Sequence, residues 1–369
     1  MLLPNHWTLQ EILALSLVPR MRAVDLRKFV EEYVSLEALL QAAPVELQKV
    51  RLGNDTLFSQ TTATLLEAAE QQLTLCKEAS VRVLPFWSDE YPALLKEIFY
   101  PPTLLYVRGR LQAPDAAAIA IVGTRNCTDY GKMVAEQYAE HFASSGIVVV
   151  SGLATGVDTF AHKAAVKHGG ITYAVIASGI DKINSGSASN LAREIGEKGA
   201  ILSEYPCGVP AQPAYFPRRN RIISGVSQGT LVVQSGERGG SLITAQFTID
   251  QNRELFAVPG QIYSERSKGT NMLIQRSQAH LTLSPQDMLQ TLGLLRADSP
   301  QKASAETLPD LDKLEAAVYK ELSGGEAIHI EALSAKTNLA VQDLLVLLLQ
   351  LEFKGYVRQM AGKQFMQRR

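Results

Sequence analysis

The feature that most restricts this chain is a series of short, wholly apolar runs beginning at Ala118: AIAIVG, GIVVVSG, TYAVIAS, GAILSE, GTLVVQS and ELFAVPG. They alternate with helix-patterned stretches such as KMVAEQYAEHFASSG and TFAHKAAV, the latter from Thr159 to Val166. A strand that is apolar at every position is buried on both faces, and the intervening helices supply the covering layers. The pattern therefore specifies an α/β domain with a doubly wound parallel sheet. Most of these runs end in Gly or Ser. In such a sheet those ends share one rim, the rim where ligands bind, and small residues there leave the backbone accessible.

The rest of the chain reads as separate modules. With 369 residues, 46% hydrophobic and 20% charged, it has room for roughly two or three domains. Residues 1–75 alternate amphipathic patterns (LQEILALSL, LRKFVEEYV, LEALLQAA) with short breaks, as a small helical bundle does. Residues 76–117 mix short β-type runs with prolines and read as an extension packed on the core, residues 118–295. Residues 296–309 are a polar linker. Residues 310–369 give three helices and a hairpin turning near Ala361 and Gly362, the order of a winged helix.

Several classes of protein are disfavoured. Cys76, Cys127 and Cys207 are far apart in sequence and make no CxxC pair, so neither a zinc site nor a disulfide framework is expected. The N-terminus lacks the tripartite pattern of a secretory signal, and there is no apolar run of about 18 residues. A cytoplasmic location without membrane association is the expectation. Formal net charge is −1, yet no Asp or Glu occurs from Tyr205 to Gly236, and Arg218, Arg219 and Arg221 all fall within FPRRNR. Local asymmetry of this kind is what a polyanion-binding stripe requires.

Four turns carry anion-binding chemistry. In VGTRNCTDYG, Gly123 permits a sharp turn, Arg125 offers a charged fork and Asp129 is placed to cap the next helix. The spacing is not GxGxxG, which disfavours a dinucleotide. In SGLATGVDTFAH, Gly152 and Gly156 allow close backbone approach. Asp158 and His162 stand four apart there and are read as structural, because no HExxH-type partner accompanies them. FPRRNRIISG concentrates three arginines and Asn220, donors suited to phosphates and base faces, beside Tyr215 and Phe216 as candidate stacking rings. SGERGGSLITA opens a helix with Gly239, Gly240, Ser241 and Thr244, a phosphate-cradling composition. Lys268 and Asn271 in SKGTNMLI belong to the same rim. The VGTR and SGERGG turns, each taken alone, are equally compatible with an ordinary βα connection, whereas a merely solvated charged face is the weaker reading of FPRRNRIISG; together the segments converge on one anion-friendly surface.

The ordered set VGTR, SGLATGVD, ILSEYPCG, FPRRNRIISG, SGERGGSLITA, FAVPG and KGTNMLI resembles the DNA-processing protein A family, also called Smf. The resemblance implies an extended Rossmann-like fold with an N-terminal helical, SAM-like or helix-hairpin-like domain and a C-terminal winged helix. It also implies a cytoplasmic bacterial protein that homodimerises, binds single-stranded DNA during natural transformation and loads RecA onto it, with no cofactor and no catalysis. The implied DNA-binding residues are Gly123, Thr124, Arg125, Gly152, Arg218, Arg219, Asn220, Arg221, Gly239, Gly240, Ser241, Thr244, Lys268 and Asn271. One departure stands out. After SGIDK the family has a Tyr-Pro pair and an Asn, where this chain has the Ser/Gly-rich INSGSASN, residues 183–190.

Two competing functions remain: a nucleotide or nucleoside-monophosphate hydrolase, and a small-nucleotide sensor. The hydrolase reading wants a glutamate after the glycine-rich loop, whereas Glu237 precedes GGS here. The presumed recognition helix of the winged helix, VQDLLVLLLQLEFKG, has no basic residue before Lys354 and six consecutive apolar residues from Leu344 to Leu349. It is expected to form a protein interface rather than to read a groove.

Overall fold

A computed structural model describes residues 4, 6–19, 21–42, 61–183, 187–294, 311–322, 327–360 and 362–367. The chain divides into two compact units, Met1–Leu295 and Arg296–Arg369. The expected linker, residues 296–309, lies outside the described residues, as do residues 184–186 of the atypical loop.

The first unit begins with helices α1 (Leu9–Ser16), α2 (Ala23–Glu32), α3 (Leu36–Gln41) and α4 (Thr62–Glu78). A capping box starts α1: the Thr8 hydroxyl accepts from the Glu11 amide, and the Glu11 carboxylate accepts from the Thr8 amide. Helix α4 runs through the expected boundary at residue 75. The helical layer is not loosely tethered. Leu13, Phe29, Leu39 and Ala69 share one apolar cluster with Tyr106, Ile176, Ile195 and Ile201 of the following domain. Arg27 Nη1 also donates to the Pro101 carbonyl at 2.6 Å, and Thr103 Oγ1 donates to that of Ala23 at 2.8 Å.

The remaining elements of this unit are β1 (Arg82–Pro85), α5 (Ala93–Lys96), β2 (Leu104–Gly109), β3 (Ala118–Val122), α6 (Asp129–Ser144), β4 (Val148–Ser151), α7 (Val157–Lys167), β5 (Thr172–Ile176), α8 (Ser187–Lys198) and β6 (Ala200–Ser203). They continue with α9 (Tyr215–Gly225), β7 (Gly229–Val232), α10 (Ser241–Asp250), β8 (Glu254–Ala257), α11 (Lys268–Gln275), β9 (His280–Leu281) and α12 (Pro285–Thr291). The nine strands form one sheet in the order β1-β2-β6-β5-β4-β3-β7-β8-β9. Pairing is parallel from β6 through to β9. Only β1 and β2, the residue 76–117 extension, join it antiparallel.

The six apolar runs are β3 to β8, and five of them are buried at every position. Burial on both faces explains why no polar alternation marks them. One face is covered by α6, α7 and α12, through Val134, Phe142, Ala161 and Leu289. The other is covered by α5, α9, α10 and α11, through Leu95, Ile222, Ala245 and Leu273. Successive strands step from β3 outward to β6, and β7 then returns to the other side of β3. A sheet whose order reverses opens a crevice at the strands' C-terminal ends, here between the ends of β3, β4 and β7. Register aligns these ends, with Ala120 opposite Val150 and Val122 opposite Val232.

The second unit contains α13 (Lys313–Glu321), β10 (Ile328–His329), α14 (Ile330–Thr337), α15 (Val341–Phe353), β11 (Val357–Met360) and β12 (Gln364–Gln367). Its antiparallel sheet has the order β10-β12-β11. Val318, Leu333, Leu344, Leu348, Leu351 and Phe365 form its core. The buried Glu315 carboxylate accepts from Lys354 Nζ at 2.7 Å, tying α13 to the end of α15. Among the described residues no single helix is long and apolar enough to cross a membrane.

Candidate nucleic-acid interface

The crevice is a cavity of about 360 Å³ lined by three segments that the sheet brings together. Gly123, Thr124 and Arg125 leave β3; Ala154 and Asp158 leave β4; Gly239, Gly240, Ser241, Ile243 and Thr244 leave β7 and open α10. Helix α9 closes the fourth side with Phe216, Pro217, Arg219, Asn220 and Ile223.

Backbone conformation sets this geometry. Gly156 has φ +84°, and a Cβ there would sit 2.3 Å from the Thr124 carbonyl oxygen. Only glycine lets the β4–α7 turn fold this close against the β3 turn. The Thr124 carbonyl in turn accepts the Val157 amide at the start of α7. Gln234 locks the β3 turn from the other side. Its carbonyl accepts from the Thr124 amide at 2.8 Å, its Oε1 accepts from the Thr128 amide at 3.0 Å, and its Nε2 donates to Thr128 Oγ1 at 2.8 Å. The residue that caps α6 is Thr128, whose hydroxyl accepts from the Gly131 amide; Asp129, expected as the cap, falls one position inside the helix. Helix α10 begins at Gly240 without a side-chain cap. The Leu242 and Ile243 amides already donate to the Gly239 and Gly240 carbonyls, at 3.0 and 3.2 Å, so among the described residues the Gly240 and Ser241 amides are the donors left for an anion, which the helix dipole favours there.

Behind the cavity wall lies a buried charged cluster. Arg219 Nη1 donates to the carbonyls of Gly152, at 2.6 Å, and Val175. Asp158 Oδ2 accepts from the amides of Gly152 at 3.1 Å and Ala154 at 3.4 Å. Burial pulls the Arg219 guanidinium down to about 10, with Asp158 opposing the shift, and it pushes the Asp158 carboxyl up against the pull of Arg219 and those amides. Each charge offsets part of the cost of burying the other. His162, one turn after Asp158, is fully buried, its Nδ1 within 2.7 Å of Thr172 Oγ1. Burial, and then Arg219, hold it down to about 3, so it is a neutral core imidazole. That is the structural role expected of this pair.

The segment FPRRNR divides its three arginines among three tasks. Arg218 is exposed and makes no ion pair among the described residues. Arg219 is the inward strut, although one side of it still lines the cavity. Arg221 is turned to Glu204 in a half-buried ion pair and does not line the cavity. Glu204 sits one residue before the acid-free stretch that begins at Tyr205. Of the two candidate stacking rings, Tyr215 is stacked on Tyr205, with centroids 4.1 Å apart and planes 18° apart. Phe216 lines the cavity, with the Arg125 guanidinium 5.5 Å and that of Arg219 6.0 Å from its centroid.

The structure therefore brings Gly123, Thr124, Arg125, Arg219, Asn220, Gly239, Gly240, Ser241 and Thr244 around one cavity, with Gly152 immediately behind. Arg218 lies on the same helix outside the lining. Lys268 and Asn271 are not in it. Lys268 pairs with Glu265 at 2.6 Å, and the Asn271 amide clamps both the N–H and the C=O of Gly260, at 3.1 and 3.0 Å. Gln234 and Thr128 escaped the sequence reading, since an interior Gln at the end of an apolar run is no recognised signal.

A parallel sheet that reverses its order at a glycine-rich crevice, in a chain that continues into a winged helix, defines a Rossmann-like binding protein with an appended winged-helix module. Residues 82–293 match the family DNA recombination-mediator protein A, and residues 302–363 match the DprA winged helix domain. The chain belongs to the DNA recombination-mediator protein A family. Protein Smf of Escherichia coli is 34% identical over 80% of each chain, and protein Smf of Synechocystis is 30% identical over 96% of this chain and 98% of its own length. Among solved structures, DNA processing protein A of Streptococcus pneumoniae superposes with a TM-score of 0.61 at 29% identity, over 77% of this chain and 97% of that one. The Helicobacter pylori protein, whose structure concerns its single-stranded DNA binding mode, superposes with a TM-score of 0.52 at 29% identity, over 57% and 95%.

The packing around Gly152 gives a test of the buried cluster. A Cβ at Gly152 would lie 2.8 Å from Asp158 Oδ2 and 2.9 Å from Arg219 Cζ, whereas one at Gly240 meets nothing within 4 Å. Gly152→Ala is expected to lose about 1–3 kcal/mol of unfolding free energy in urea, and Gly240→Ala less than about 1 kcal/mol. Equal losses at both positions would contradict the account of Arg219 as a strut.

Proposed function

We propose that the crevice binds single-stranded DNA, with a backbone phosphate at the Gly239–Ser241 helix start and the β3 turn, and with adjacent bases passing over Phe216 and Arg125. The observation that carries this reading is the convergence, at the point where the sheet reverses, of helix-start amides, two guanidinium groups and one aromatic face on a single cavity. Amides and guanidinium groups serve phosphates, and an aromatic face flanked by arginine stacks bases of any identity. The cavity carries one carboxylate among its lining residues, Asp158, and that group is committed to two amides and Arg219. Glu237 is exposed and lies outside the lining, which weighs against the hydrolase reading. Recombination mediation, with RecA as the recipient of the strand, homodimerisation and a cytoplasmic location belong to the same proposal and are supported by family membership, and the division at residues 75, 117, 295 and 309 is proposed with them. The RecA step would be abandoned if the protein failed to promote RecA filament growth on strands coated by single-strand-binding protein.

The winged helix enters this proposal as a protein-binding module. Helix α15 buries Leu344, Leu348 and Leu351 and leaves Leu345, Val346, Leu349 and Phe353 exposed, the last at 85%. It presents an apolar stripe instead of a basic one.

Fluorescence anisotropy of labelled oligo-dT across a salt series tests the whole reading. Wild type is expected to bind more tightly as the strand lengthens by several nucleotides and to lose affinity with salt. Arg125→Ala and Arg218→Ala should each lower the salt slope by about 1. Arg221→Ala, which breaks an internal pair, should leave that slope unchanged, and Leu349→Glu in the winged helix should leave affinity unchanged. Saturation by a mononucleotide with no gain from strand length would replace strand binding with the small-nucleotide sensor.

A further inference from the structure

Cys76, in the last turn of α4, and Cys207, in the loop that follows β6, hold their Sγ atoms 3.7 Å apart across the junction between the helical layer and the sheet. We propose that this pair is an oxidation site, at which a peroxide-class oxidant joins Cys76 to Cys207 in an intramolecular disulfide that fastens α4 to the α/β domain.

The surroundings suit that chemistry. A disulfide requires the sulfurs to close from 3.7 Å to about 2.05 Å, an approach of roughly 1.7 Å. Gln72 holds the two segments in place: its Nε2 donates to the Cys207 carbonyl at 3.3 Å and contacts Cys76 Sγ at 3.7 Å. Cys76 is the nucleophile of the pair, since the Gln72 amide and the Cys207 thiol both face its sulfur. Hydrogen bonding from the Cys207 thiol, and then from the Gln72 amide, brings it down against the cost of burial, while the Cys207 thiol is pushed up.

Both thiols are almost closed to solvent, and neither lines a cavity; a surface cavity of about 610 Å³, lined in part by Ser80, Arg108, Ile180 and Asp181, lies on the far side of Asp181 from the Cys207 loop. Asp181 acts electrostatically on both sulfurs, and its Oδ1 accepts from the Gly208 amide at 2.8 Å, next to Cys207.

The steps balance. The Cys76 thiolate attacks one peroxide oxygen, the O–O bond breaks, and hydroxide leaves and takes a proton to become water, leaving Cys76 sulfenic acid. The Cys207 sulfur then attacks the Cys76 sulfur, forming the S–S bond and releasing the second water. Two thiols lose two electrons, and one peroxide is reduced to two waters. The alternative is that both cysteines act only as small apolar groups, since both belong to the cluster that joins the helical layer to the sheet.

The test uses the full chain under native conditions with a small excess of hydrogen peroxide. Free thiols should fall from three to one, leaving Cys127, and a Cys76–Cys207 linked peptide should appear in a non-reducing digest. Because the bridge spans 131 positions of sequence, it restrains the unfolded chain strongly, and Tm should rise by roughly 5–10 °C and return on reduction with a dithiol. Cys76→Ser and Cys207→Ser should each abolish both the bridge and the shift. An unchanged thiol count, sulfinic acid at either cysteine, or a bridge to Cys127 or to a second chain would overturn the proposal.

Discussion

The interior contact on which the site depends is the Arg219 guanidinium, held between the Gly152 and Val175 carbonyls and facing Asp158. It ties α9 to the ends of β4 and β5 and, through Asp158, to the first turn of α7. A charge buried this deeply is costly unless every neighbour answers it, so each neighbour is constrained in turn. Gly152 must lack a side chain, Asp158 must stay within reach of the Gly152 and Ala154 amides, and the β4–α7 turn must fold tightly enough to need Gly156. The cavity walls are the outer surface of this cluster. A binding site for a flexible polyanion gains from such rigidity, because less ordering is left for the moment of binding.

The division of labour in FPRRNR follows from helix geometry. Residues 100° apart along a helix cannot share one face, and Arg219 and Arg221 diverge by about 200°. The segment therefore anchors itself on both sides, inward through Arg219 and toward Glu204 through Arg221, while Arg218 remains exposed. Among the described residues the positive charge left for a ligand then comes from Arg125, which lines the crevice, and from Arg218, exposed on the same helix outside the lining, with the helix-start amides of α10 supplying the neutral donors. This arrangement suits backbone recognition without sequence preference, since none of these groups selects among bases.

Much of this was legible in the sequence, for identifiable reasons. Strands buried on both faces announce themselves by unbroken apolar runs, so β3 to β8 and the doubly wound sheet could be read directly. The glycine turns at Gly123, Gly152 and Gly239 were legible because a Cβ there has no room, meeting Val157 at the first, Asp158 and Arg219 at the second and Ser235 at the third, whereas Gly240 is under no such constraint. What the sequence concealed was direction. A run of arginines counts donors without saying which face each occupies, and the partner of Arg221, Glu204, lay just beyond the acid-free window. Lys268 and Asn271 looked like rim donors, but Glu265 and the Gly260 peptide had already taken them. The thiol pair was invisible for the same reason, because 131 positions separate two cysteines that the fold brings into contact.

Hydrogen–deuterium exchange of the full chain with and without a saturating oligo-dT strand tests the central claim most directly, because it reports which backbone amides the strand covers. The account expects slower exchange in three separated stretches, residues 123–128, 215–221 and 239–244, with no change in α11 or α15. Protection confined to α11, or to the winged-helix unit, with these three stretches unaffected, would contradict it.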